Sequence, residues 1–189
     1  MSGLKFDKRE LGNLEYALDR EVLATDRRGG YMSTTIVGCN TRKYHGLMVA
    51  PIDQSDRTYV LLSSLDETVV QHEQSFNLAL HRYEGTYEPR GHKYITDFEY
   101  TPTPTITYRV GGVILKKELL WIHNRTQLMI RYTLVDAHSE TTLRLRPLLA
   151  FRDKHALSKA NMEADGRAYP IPHGVKCRLY EGFPWLYMQ

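Results

Sequence analysis

Strict alternation of apolar and polar residues dominates this chain from its middle onward. Leu128, Ile130, Tyr132 and Leu134 share one phase, and Gln127, Met129, Arg131 and Thr133 share the other. A two-residue period places successive side chains on opposite faces of a pleated strand, so the run reads as a half-buried strand. Leu143 and Leu145 alternate with Thr142, Arg144 and Arg146 in the same way. Gly111-Gly112 separates Thr105–Val110 from Val113–Ile122, which predicts a hairpin. Further strand-like runs are Tyr31–Val37, Tyr44–Ala50, Arg57–Leu62, Thr68–His72, Phe76–Tyr83, Tyr94–Tyr100 and Val175–Tyr180. The whole set comes to about ten to twelve short strands. A spacing near 3.6 residues is confined to Leu11, Leu14, Leu18 and Val22 and to His155–Glu163. Many strands, few helices and short intervals predict an all-β, antiparallel sandwich.

Composition agrees with one globular domain. The chain has 189 residues, 42% of them apolar and 25% charged. That length buries roughly 70% of the surface exposed by the unfolded chain. The formal charge is +3 and the basic residues are scattered, which argues against nucleic-acid binding. No apolar run approaches the ~18 residues of a membrane span, and Met1 to Lys8 carries no signal-peptide core, so a cytoplasmic protein without membrane contact is expected. Cys39 and Cys177 alone make no disulfide framework and read as reduced thiols.

Chemistry-bearing residues gather in two places. The first is Asn40-Thr41-Arg42-Lys43-Tyr44-His45, between two strand-like runs. Asn40, Arg42 and His45 offer flat donors and acceptors that bridge vicinal hydroxyls, while Tyr31 and Tyr44 offer ring faces for sugar C–H surfaces. The competing reading gives Arg42 and His45 structural hydrogen bonds to loop backbone. The nearby Gly29, Gly30, Gly38 and Gly46 read as turn or bulge residues. The second cluster is Arg146 to Leu157, where a strand runs out into Arg152, Asp153, Lys154 and His155. Arg152 and Asp153 there form an ion pair ordering the loop, or they contact a ligand or a neighbouring domain.

Glycoside hydrolysis requires paired carboxylates at ~5 to 9.5 Å. Asp66, Glu67, Asp153 and Glu181 are present, each more simply read as solvated or salt-bridged. The eight histidines show no ligand spacing, and no phosphate loop, dinucleotide fingerprint or nucleophile elbow occurs, so neither metal nor cofactor is expected.

Four stretches resemble the N-terminal domain of bacterial and archaeal glycogen debranching enzymes, the amylo-α-1,6-glucosidase type. They are Gly29-Gly30-Tyr31 with Ser33 and Thr34, Asn40 to Leu47, Leu61 to Glu67, and Leu145 to Leu157. Asp26-Arg27-Arg28-Gly29-Gly30 departs from the Asn-Gly-Leu-Gly-Gly that relatives often carry before the tyrosine. The resemblance implies an antiparallel β-supersandwich, galactose-mutarotase-like, preceding an α/α toroid that supplies the catalytic carboxylates. The apolar, aromatic ending Phe183-Pro184-Trp185-Leu186-Tyr187 predicts that residues 1–189 are the N-terminal portion of a larger protein, and the resemblance implies that they are one β-sandwich domain of a glycoside hydrolase. On that reading the domain is non-catalytic. It binds or positions α-glucan, or docks the C-terminal catalytic domain, through Tyr31, Asn40, Arg42, Tyr44, His45, Arg152, Asp153 and His155. The alternatives are a purely structural interdomain module, and a mutarotase-like epimerase using His45 or His155 with Glu67 or Asp153.

Overall fold

The computed structural model describes residues 3–52 and 57–189. In chain order the elements are β1 (Leu4–Asp7), α1 (Lys8–Gly12), α2 (Leu14–Leu18), β2 (Glu21–Thr25), β3 (Tyr31–Thr35), β4 (Gly46–Pro51), β5 (Thr58–Gln71), β6 (Gln74–Asn77), β7 (His81–Tyr83) and β8 (Thr86–Glu88). A 3₁₀ turn at Gly91–Tyr94 leads into β9 (Ile95–Tyr100), followed by β10 (Pro104–Val110), β11 (Val113–Trp121), β12 (Leu128–Ala137), β13 (Thr142–Asp153), β14 (Ala168–Ile171), β15 (Gly174–Cys177) and β16 (Leu186–Met188).

The expected antiparallel β-sandwich is what the chain forms. One sheet runs β1-β9-β10-β11-β12, and the other runs β13-β5-β4-β3-β2 with β6 pairing β5. Their facing sides enclose the main core, in which Met32, Val69, Phe98, Ile106, Val113 and Leu115 are buried. Strand β11 shows why the pattern produces this layer: Val113, Leu115, Leu119 and Trp121 point inward while the residues between them reach solvent. Lys117 occupies the same inward phase and is equally buried.

Helices α1 and α2 link β1 to β2 and so close one side of the sandwich. Asp7 starts α1 with a capping box: its carboxylate accepts from the Arg9 and Glu10 amides at 2.8 and 3.1 Å, and Glu10 reaches back to the Asp7 amide at 3.0 Å. On the opposite side β12 and β13 are both edge strands. A third sheet, β14-β15-β16, packs against the second sheet, where Cys177 and Leu186 join Leu47, Leu61, Leu62 and Phe151 in a smaller core.

Several expectations change in detail. The hairpin forms with Val110 paired to Val113 and with Gly111 and Gly112 at φ of 56° and 80°, as a tight two-residue turn demands. The separate strands expected at Arg57–Leu62 and Thr68–His72 are one strand, β5, in which Asp66 and Glu67 of the supposed gap are buried and paired with Arg146 and Lys117. Phe76–Tyr83 divides into β6 and β7. His155–Glu163 forms no helix and is mostly irregular. Leu134 keeps the phase of Ile130 and Tyr132, opposite Leu115, and is 51% exposed because β12 is an edge strand. Cys39 and Cys177 are free and buried in different cores, and burial pushes the Cys39 thiol up to about 11. No helix among the described residues is long and apolar enough to cross a membrane.

Candidate functional site

The loop from β3 to β4 is built by its smallest and most inward residues. Thr35 Oγ accepts from the Cys39 amide and donates to the Cys39 carbonyl, both at 3.0 Å, around Gly38 at φ 75°. Asn40 then donates to the Ser63 carbonyl on β5 at 2.8 Å. His45, only 2% exposed, accepts from the Thr41 amide through Nδ1 at 3.1 Å. That bond leaves the ring proton on Nε2, which lies 3.3 Å from Glu21 Oε1 without the alignment of a hydrogen bond. Burial lowers the His45 pKa against the opposing pull of the Glu21 carboxylate, so the ring is neutral at pH 7. Asn40 and His45 therefore frame the loop.

What they frame is an exposed triplet, Arg42, Lys43 and Tyr44. Arg42 is paired with Glu21, and the Tyr44 carbonyl accepts from the Tyr31 hydroxyl at 3.1 Å. Burial raises the Tyr31 pKa and keeps that hydroxyl a donor.

The end of β13 meets this triplet. Its register against β5 shifts between Leu149 and Arg152, and Phe151 takes φ 45° with its side chain buried. A bulge of this kind re-aims the residue after it. Arg152 accordingly turns to the loop, donating to the Lys43 carbonyl at 2.6 Å and to the Ala156 and Asp153 carbonyls at 2.9 and 3.2 Å. The expected Arg152–Asp153 ion pair is replaced by these backbone contacts. Asp153 instead accepts from the His155 amide at 2.8 Å, fixing the turn that presents His155. Tyr44 and His155 then stand edge to face, ring centroids 5.6 Å apart and the Tyr44 hydroxyl 3.3 Å from His155 Nδ1. Lys43 Nζ donates to the His155 carbonyl at 3.2 Å. Two clusters separated by more than a hundred residues thus form one surface: Arg42, Lys43, Tyr44 and His155 outermost, Tyr31, Asn40, His45, Arg152 and Asp153 supporting them.

Residues 20–189 match the family described as glycogen debranching enzyme N terminal. The chain belongs to that family. No curated protein and no solved structure shows significant similarity to it.

In this debranching-enzyme N-terminal domain Glu181 is exposed, whereas Asp66 and Glu67 lie inside the fold. Asp66, 2% exposed, accepts from Arg146 at 2.8 Å and lies 2.9 Å from His81 Nε2. Glu67, 3% exposed, accepts from Lys117 Nζ and the Tyr132 hydroxyl, each at 2.5 Å. The sequence reading missed the second network, whose one local signal is Lys117 in the inward phase of β11, since a buried cation requires an anion. No hydrogen bond joins the His45 or His155 ring to Glu67 or Asp153 among the described residues. Nor does any group of three or more His, Cys, Asp or Glu there have the arrangement of a metal site.

Proposed function

We propose that this domain binds α-glucan and positions it for a catalytic domain of the same polypeptide that hydrolyses α-1,6 branch linkages. The convergence of Tyr44 and His155 carries the reading. It sets two rings at right angles beside the cationic groups of Arg42 and Lys43, a combination that suits the apolar faces and hydroxyl rims of glucose units. Asn40, His45 and Arg152 bond to backbone groups of β5 and of the loop, which gives the patch the rigidity that weakly binding polar surfaces need. The domain needs no cofactor in this role and works in the cytoplasm. Affinity electrophoresis in glycogen-containing gels tests it: the chain is retarded, and Tyr44→Ala or Arg42→Ala reduces the retardation. Unretarded migration of the parent chain removes autonomous glucan binding.

A second reading, docking against the α/α toroid, is favoured by the open side of the sandwich. A cleft of about 1020 Å³ lies there, lined by Leu62, Leu65, Leu128, Ile130, Leu145 and Trp185 among others. Apolar clefts flanked by unpaired strand edges are sites of polypeptide contact. This reading and glucan binding use different surfaces and are compatible.

A further inference from the structure

A small cavity of about 40 Å³ lies between the two large sheets, and neither reading above uses it. Three of the four stretches that carry the family resemblance meet at its wall: Thr34 from the first, Asn40 and Leu47 from the second, and Ser63 to Glu67 from the third. Lys117 of β11 reaches the same space from the facing sheet.

Buried polar groups are ordinarily hydrogen-bonded, and two at this cavity fall short. Thr34 and Lys117 are each only 6% exposed. Thr34 Oγ1 has no hydrogen-bond partner among the described residues. The Lys117 ammonium carries three donors, and among the described residues it meets one acceptor, Glu67 Oε1. Two of its N–H groups are left over, and an ammonium in a core is costly unless its donors are met. Tyr108 adds a phenol to the wall, held protonated by burial and by the Glu67 carboxylate.

These charges select the occupant. An anion would face Glu67 and a cation would face Lys117, whereas a neutral molecule that both donates and accepts suits both. One water needs ~10–15 Å³ and about two to four polar neighbours, and this space supplies the volume and the neighbours.

We infer that the cavity is a built water site joining the two sheets, in which ordered water accepts from the free N–H groups of Lys117 and hydrogen-bonds to Thr34 Oγ1. Water on one side and Glu67 on the other then complete the shell that keeps Lys117 charged in the core. The site stands apart from the glucan reading.

Oxygen-17 relaxation dispersion of the full chain tests it, because the method counts water oxygens held longer than the molecule tumbles and is blind to exchanging hydroxyl and ammonium protons. Thr34→Val keeps the outline of the side chain and removes the hydroxyl. The variant is expected to lose at least one long-lived water and to fold with an equilibrium constant about fivefold lower in urea denaturation, the loss of one hydrogen bond. In a dry cavity the same change would remove an unsatisfied hydroxyl, and the variant would be the more stable. An unchanged water count or a more stable variant overturns the proposal. Xenon tests the parent chain by itself, since it enters dry apolar cavities. The methyl resonances of Ile106 and Leu119, which line the space, are expected to stay constant as xenon pressure rises. Saturable xenon shifts at those methyls overturn the proposal.

Discussion

Asp66 and Glu67 are neighbours whose side chains leave β5 on opposite faces, and each answers a different buried demand. Glu67 joins the two sheets, since Lys117 and Tyr132 are register partners on β11 and β12 and both reach its Oε1. Burial, reinforced by that carboxylate, holds the Tyr132 phenol far above its ordinary range, so it remains a donor. Glu67→Ala leaves Lys117 as an unpaired buried cation and is expected to destabilise the fold by about 3–5 kcal/mol, read from urea denaturation. Asp66 titrates low because the His81 and Arg146 contacts outweigh its desolvation. A lowered carboxyl stabilises the native state above about pH 3.9 and loses that contribution as pH falls through the native value. Asp66→Asn should lack this acid-dependent component. His45 acts in a higher window. Its lowered native pKa gives stability that is complete above about 6.5 and declines as pH falls toward the native value, so the urea midpoint of His45→Gln should vary less between pH 7.5 and 5.5 than that of the parent.

At the level of elements, the bulge ending β13 couples the smaller core to the exposed patch. Phe151 packs against Phe183 with ring centroids 5.7 Å apart, and its left-handed backbone directs Arg152 to Lys43. Phe151→Ala should cost about 3–5 kcal/mol by leaving a cavity, and weaken retention by glycogen through Arg152 although no surface residue has changed. The β10–β11 hairpin makes a simpler demand. Gly112→Ala places an L-residue at φ 80° and should cost about 1–2 kcal/mol in a thermal or urea melt.

The molecule as a whole is closed on one side and open on the other. Helices α1 and α2 cover the β1–β2 side, whereas β12 and β13 leave two long edges with Leu134, Val135 and Leu145 about half exposed. Half-exposed apolar side chains on unpaired strand edges favour pairing with other chains. The isolated domain should therefore self-associate with rising concentration in light scattering, and Val135→Lys should restore a monomer. A clean monomer in the parent chain would count against the docking reading.

Local pattern alone determined the fold class: period-2 alternation at β11, β12 and β13, the Gly111-Gly112 turn and the shortage of helical spacing are properties of neighbouring residues, and they leave only packed antiparallel sheets. The same locality made the Asn40–His45 and Arg152–His155 clusters visible as unusual. Which of their residues face outward was decided by tertiary structure, because Asn40 turns inward to the Ser63 carbonyl of β5 and His45 to the Thr41 amide of its own loop. Their convergence was also decided there, through a β13 bulge that shows no signal in the sequence. Asp66 and Glu67 read as ordinary surface carboxylates for the same reason: a buried charge is explained by its partner, and Arg146, His81, Lys117 and Tyr132 come from strands that pairing and packing alone bring near.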